Sequence, residues 1–218
     1  RRKAAIGDED RVVRHQAVQL AHQAADIDRL LVRLQPVGRA FGTLVRRRGG
    51  RAVALGRDNR VSSGALKEAF AAGVLSTGLD VVDIGINHTP LLYFATAHWR
   101  LDGGATVTGS HNPVSDNGVK MVHAGAAPLS EEEISGLLAT IEAGDFERGA
   151  GRLTTRDPRE DYFNAITAHV RLGRRLRVVV DAGNGVAGVF APELLRRLGC
   201  EVTELYCESD GSFPHHLP

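Results

Sequence analysis

The sequence predicts an α/β protein: a three-layer α/β/α domain over residues 38–150, followed by the opening of a second domain of the same kind over 151–218. Two observations carry this. Apolar runs of strand length alternate with segments that begin on capping residues and end on glycine, as helices laid between parallel strands do. In addition, RAVALGRDNRVSSGALKEAFAAGVLSTGLDVVDIG, from Arg51, and LRVVVDAGNGVAGVFAPELLRRLGCEVTELY, from Leu176, share one plan of strand, Gly-bearing loop, helix, glycine and strand. Internal similarity of this kind reads as a repeated α/β unit.

Residues 1–37 form the least regular segment. They show weak helical periodicity at Val18, Leu20, Ile27, Leu30, Leu31 and Leu34, no turn chemistry before Pro36 and no clear strand, so poor packing is expected there. From Gly38 the pattern sharpens. Arg51–Leu55 reads as a strand, 56–64 as a loop, 65–76 as a helix closed by Gly78 in a left-handed cap, and Val81–Ile84 as a strand. Thr89-Pro90 reads as an N-cap with proline at the first helical position, opening a helix to about Leu101. Strands are expected near 104–108 and 118–122. Ser130 to Glu133 is a capping box opening a helix to about Ala143, and Asp157 to Glu160 reads as another, opening one to about Val170. Between them, residues 144–156 are rich in glycine and charge and read as the domain boundary. Arg177–Asp181 is a strand, 189–198 a helix stopped by Gly199, and Val202–Tyr206 a strand. Two strands are too few for an independent sheet, so an unpaired edge and an uncovered apolar face are expected in the second unit.

A hydrophobic content of 43% suits an ordinary globular core and excludes a disordered or fibrous chain. With 27 basic against 26 acidic residues the formal charge is +1, which gives no global pull toward nucleic acid or a membrane surface, so any phosphate affinity must be local. Two cysteines, Cys200 and Cys207, and no apolar run of membrane-spanning length read as a reduced, cytoplasmic protein. The basic start Arg1-Arg2-Lys3 is followed by charge, without the apolar core of a signal peptide.

The chemistry concentrates in GGATVTGSHNPVSDNGVKMV, residues 103–122. Ligands of an α/β sheet gather at the carboxyl ends of its strands, and Ser110 sits at such an end. Gly109 permits a sharp turn, Asn112-Pro113 arrests regular structure, and Ser110 is expected to project from an exposed loop. His111 and Lys120 are the nearby groups able to accept its proton or neutralise phosphate. By spacing alone, a polar turn with a structural histidine fits as well. Arg57 and Arg60, in Gly-Arg-Asp-Asn-Arg at a strand end, read by themselves as a solvated loop paired to Asp58. Gly183 to Gly188 has dinucleotide-fingerprint spacing, with only Glu204 as a ribose acceptor, and is read against nucleotide binding. His215-His216 lacks a third metal ligand and reads as a structural or disordered tail.

TGSHNP followed by NGVK resembles the phosphoserine loop of the α-D-phosphohexomutases, the phosphomannomutase and phosphoglucomutase family. The resemblance runs through roughly residues 38–218, including GRDNR, NHTP, DAGNGVAG and CESDGSFP. It implies an enzyme that interconverts hexose 1-phosphates and 6-phosphates of mannose or glucose through a phosphoserine at Ser110 and a bisphosphorylated intermediate. It further implies a Mg²⁺ ion held by phosphorylated Ser110 and an aspartate loop of the following domain, His111 and Asn112 shaping the loop, and Lys120 in proton transfer or phosphoryl stabilisation. Arg57 and Arg60 match arginines near the same cleft, with Asp58 orienting one of them. The family's opening motif is matched only faintly, by Ala25–Arg29, and the family's aspartate loop and sugar- and phosphate-recognition loops have no counterpart in these 218 residues. The 218 residues are therefore expected to be inactive alone; the other reading is an incompetent fragment or a sugar-phosphate binding or interaction module.

Overall fold

A computed structural model describes residues 18–20 and 27–216, with side chains described from Val32 onward. In chain order the elements are β1 (Val18–Leu20), α1 (Ile27–Arg47), β2 (Ala52–Arg57), α2 (Ser63–Leu75), β3 (Asp80–Ile86), α3 (Thr89–His98), β4 (Gly103–Val107) and β5 (Asn117–His123). A short 3-10 turn (Ala124–Ala126), α4 (Glu131–Ala143), β6 (Leu153–Thr155), α5 (Arg159–His169), β7 (Arg177–Asp181), α6 (Ala187–Arg197) and β8 (Glu201–Leu205) follow.

The first sheet has six strands in the order β1-β5-β4-β2-β3-β6. The β2–β3, β2–β4 and β3–β6 pairs are parallel; β5 is antiparallel to both β4 and β1. Alternation along each strand sends side chains to opposite faces. Val53, Leu55, Val81, Val107 and Met121 join Phe41, Phe70 and Leu137 in a core beneath α1, α2 and α4, while Ala54, Ile84 and Val122 meet Leu92 and Ala95 of α3 on the other face. The three expected layers are thus present. Helix α2 returns the chain to β3 over one face and α3 carries it past β2 to β4 over the other, so the connections at the carboxyl ends of β2 and β3 leave toward opposite faces while β2 and β4 stay paired to Arg57 and Val107. Such a reversal of connections leaves, outside the strand ends, the crevice where open α/β sheets bind ligands.

The chain does not break near residue 38. Helix α1 runs through it with Pro36 inside, and Leu34, Val37, Phe41 and Val45 form one buried stripe. Burial of that stripe outweighs the roughly 3 kcal/mol that an interior proline costs. Gly38 marks a close helix crossing: a Cβ there would lie 2.2 Å from the Phe70 carbonyl oxygen of α2. Strand β1, Val18-Gln19-Leu20, likewise lies in the segment expected to lack one and is paired to β5. Residues 1–17 and 21–26 lie outside the described residues, and of Ala25–Arg29 only the backbone from Ile27 is described, in α1. The glycine- and charge-rich stretch 144–156 also holds an unexpected strand, β6, at the edge of the first sheet.

Caps show how local signals fared. The Ser130 capping box forms, with Glu133 N–H donating to Ser130 Oγ and Ser130 N–H to Glu133 Oε2. The box expected at Asp157 does not: Pro158 is the N-cap, and Asp157 instead accepts from the Arg159 backbone and guanidinium. The N-cap of α3 is His88, one residue before Thr89; its Nδ1 accepts from Leu91 N–H at 3.2 Å.

Glu133 also binds His123 at 2.9 Å and Arg48 at 2.7 Å, tying α4 to β5 and α1. The His123 hydrogen bond, the Ser130 amide and Arg48 push its carboxyl down to about 2. A depressed carboxylate stabilises the fold above its unfolded value, and that contribution is lost as pH falls through the folded value. Glu133→Gln is therefore expected to cost about 1 kcal/mol near neutrality, allowing for solvent screening. The difference from wild type should vanish between pH about 4.5 and about 2. Urea unfolding of both proteins across that range checks it, and a gap that stays constant with pH would contradict it.

The repeated plan is also seen in space. Strands β7 and β8 pair in parallel around α6 as β2 and β3 do around α2. This second sheet has two strands, and Val179 on it is 63% exposed, the uncovered apolar surface expected. The second unit packs on the first through Phe163 and Phe190 against Leu91. Among the described residues no helix is long and apolar enough to cross a membrane.

Candidate active site

The TGSHNP loop leaves β4 at the crevice. Gly109 and Asn112 close a tight turn, with Asn112 N–H donating to the Gly109 carbonyl at 3.0 Å. Ser110, at its apex, is exposed and has φ +54°, a left-handed conformation uncommon for a residue with a Cβ. Its amide donates to Thr108 Oγ1 at 3.0 Å, a local side-chain bond that supports the turn. Lys120 projects from β5, in register with Thr106 of β4, and its Nζ lies 3.4 Å from Ser110 Oγ. Burial holds the Lys120 ammonium below its ordinary value. Titration of lysine Nζ by NMR should show Lys120 deprotonating below the ~10.4 of a solvated lysine; a value at or above that would contradict the desolvation.

What holds the turn is a buried ion pair. Asp58, just past β2, accepts from Arg60 N–H at 3.0 Å, Arg60 Nε–H at 3.2 Å, Gly109 N–H at 3.1 Å and the Ser63 hydroxyl. Arg60 is 2% exposed. Its Nη1 donates to the carbonyls of Pro113 and Asp116, at 2.6 and 3.2 Å, and its Nη2 to those of Ser110 and Asn112, at 3.1 and 2.9 Å. A guanidinium has five N–H donors, and all five are used within the protein. Gly109 is required by this arrangement, since a Cβ there would lie 2.4 Å from Arg60 Cζ. Arg60 thus has no hydrogen left for a substrate phosphate, although its motif placed it facing the cleft. Arg57 differs again: its Nη1 donates to the Asp58 carbonyl at 2.9 Å and its side chain does not line the cavity.

The cavity, of about 500 Å³, opens between the crevice and the second unit. Ser110, His111 and Lys120 line it with Thr108, His88, the start of α6 at Ala187, and Phe213. His88 is packed edge-on against Phe190, with ring centroids 4.8 Å apart, and burial holds its imidazole below the ordinary histidine value. Sequence reasoning brought Ser110, His111, Lys120 and Arg60 to one place but overlooked Thr108, His88 and Phe213. Thr108 carried a local signal, a hydroxyl two residues before the amide it caps, while His88 and Phe213 lay within NHTP and CESDGSFP without being singled out. Asn184 and the histidine pair prove structural: His215 Nδ1 bonds Asn184 Oδ1 at 2.7 Å, His216 meets Asp181 at 3.0 Å, and Glu204 pairs with Arg196. Among the described residues no group of three or more His, Cys, Asp or Glu could hold a metal ion.

Comparison with known proteins agrees with this architecture. Residues 27–148 match the phosphoglucomutase/phosphomannomutase alpha/beta/alpha domain I, and residues 160–218 match domain II. The chain is 42% identical over 182 residues to a phosphomannomutase/phosphoglucomutase of Pseudomonas putida, covering 84% of this chain and 39% of that protein. A phosphoglucomutase of Neisseria meningitidis serogroup A is 41% identical over 184 residues, covering 84% of this chain and 40% of the relative. The crystal structure of a phosphoglucomutase/phosphomannomutase family protein from Burkholderia thailandensis superposes with a TM-score of 0.84 at 39% identity, over 93% of this chain and 45% of that one. The chain thus spans about two fifths of the length of the curated relatives it matches. With one domain matched throughout its α/β/α core and the next matched to residue 218, the chain belongs to the phosphoglucomutase/phosphomannomutase family.

Proposed function

We propose that this chain carries the phosphoryl-donor half of a mutase that interconverts hexose 1-phosphates and 6-phosphates, with Ser110 as the residue that holds the phosphoryl group. The observation that carries the reading is the placement of an exposed serine hydroxyl, on a left-handed turn, 3.4 Å from a desolvated lysine in a strand-end cavity.

In the first transfer the bond between phosphorus and Ser110 Oγ breaks as a bond forms from a sugar hydroxyl oxygen to phosphorus. Lys120 relays the proton, taking it from the sugar hydroxyl and supplying one to Ser110 Oγ, so the serine leaves as a neutral hydroxyl. In the second transfer Ser110 attacks the other phosphate of the bisphosphorylated sugar and the same protons move in reverse. Catalysis of such a transfer lies mainly in positioning and charge stabilisation, which gives the rigid turn its purpose. His111 lines the cavity beside Ser110 and is placed to contact the transferring group; Arg57 and Arg60 act at one remove, on the loops.

Mg²⁺ is the cation such chemistry uses to neutralise phosphoryl charge. Here Ser110 offers one oxygen, and the described residues provide no carboxylate cluster to complete a coordination set, so they do not by themselves make a Mg²⁺ site. Intact-mass and peptide mass spectrometry on a protein extended to the relatives' length test the reading. One phosphate on the resting enzyme, mapped to Ser110, is expected; an active enzyme whose phosphate maps elsewhere would overturn it.

A further inference from the structure

We propose that Phe213 is a positioning residue for the Ser110 turn, acting through Arg60, so that the second unit helps to set the geometry of the serine. The proposal rests on the role assigned to Ser110 for its functional meaning, but its structural content stands apart from turnover.

Arg60 spends every in-plane donor on Asp58 and the carbonyls of the turn, leaving only the faces of the guanidinium open. Water reaching a face would compete for those same carbonyls. The Arg60 guanidinium lies over the Phe213 ring, with Cζ 5.7 Å from the ring centroid, and Phe213 is 8% exposed. This cover is both a cation–π contact and a barrier to water. It comes from the far end of the described chain, in the CESDGSFP segment, which no part of the phosphoryl transfer above uses.

The turn that presents the ring is itself held in place. Phe213 has φ +51°, a conformation costly for an aromatic residue, and it is fixed by its amide bond to the Asp210 carbonyl at 3.0 Å. Gly211 lets this turn lie directly on the Arg60 backbone: a Cβ there would fall 2.1 Å from the Asn59 carbonyl oxygen and 3.0 Å from Arg60 Cα. The Asn184 carbonyl accepts from both Asn59 Nδ2, at 2.7 Å, and Asp210 N–H, at 2.9 Å, joining the two units at this point. A strained aromatic, a glycine in backbone contact and a shared carbonyl therefore converge on the residue that grips the Ser110 turn.

Hydrogen exchange on the 218-residue chain tests this. In Phe213→Ala the amides of Gly109 to Asn112 are expected to exchange about tenfold faster while those of β2 and β4 keep their protection. Phe213→Trp, which restores a ring over the guanidinium, should return the turn to wild-type exchange. Phe213→Leu keeps the apolar volume without a π face and guards against simple unfolding; it should still speed the turn severalfold. Unchanged exchange at Gly109 to Asn112 in Phe213→Ala or Phe213→Leu, or failure of Phe213→Trp to restore it, would overturn the proposal whatever Ser110 carries. Loss of the phosphate at Ser110 with normal exchange effects would instead count against the proposed function alone.

Discussion

Replacing Ser110 by alanine in a protein of the relatives' length is expected to lower turnover of hexose phosphates by roughly 10⁴-fold or more, the scale on which loss of a covalent nucleophile acts. Among the described residues no other hydroxyl sits at the apex of this turn. Thr108 Oγ1 is engaged by the Ser110 amide, and Ser115 lies beyond the turn with its hydroxyl on Asp116. The left-handed apex at φ +54° is what presents the oxygen to the cavity, and alanine at that position keeps the backbone cost while removing the hydroxyl proposed to hold the phosphoryl group. Coupled assay of glucose 1-phosphate conversion, with Mg²⁺ and a bisphosphate activator, measures the effect. Near wild-type turnover in Ser110→Ala would show that phosphate passes through another residue.

The second large effect is expected at Asp58. Asp58→Ala removes the counter-charge of a guanidinium that is 2% exposed and strips the acceptor from the Gly109 amide and the Ser63 hydroxyl. Breaking a buried ion pair from one side costs about 3–5 kcal/mol, because the remaining charge stays desolvated. Urea or thermal unfolding should register that loss. Arg57→Ala makes the internal control: its single bond to the Asp58 carbonyl predicts a change of about 1 kcal/mol. Equal effects of the two substitutions would mean that the Asp58–Arg60 pair is not what holds the loop.

The contrast between these arginines shows where sequence reading stops. Both sit in Gly-Arg-Asp-Asn-Arg at a strand end, and the motif assigns both to the cleft. Three residues apart, one is a half-buried side chain on a neighbouring carbonyl and the other a saturated buried clamp. That difference arises from the carbonyls of Ser110, Asn112, Pro113 and Asp116, some fifty positions away in the chain.

The sequence by itself determined what depends on neighbours along the chain. Strands β2 to β5, β7 and β8 follow from apolar runs, the Ser130 cap from hydroxyl and carboxylate spacing, and the Ser110 turn from Gly109 and Asn112-Pro113. The pairing of Ser110 with Lys120 was also legible, because a short turn and an antiparallel return strand bring the two together. Only the tertiary structure decided the rest. Helix α1 passes Pro36 because its buried stripe is worth more than the proline costs, and β1 and β6 exist through pairing with strands distant in sequence. Phe213 comes to rest on Arg60 through a contact between the two units. Local propensities amount to a kilocalorie or less per residue, whereas burial and long-range hydrogen bonds act between segments whose meeting no local pattern encodes.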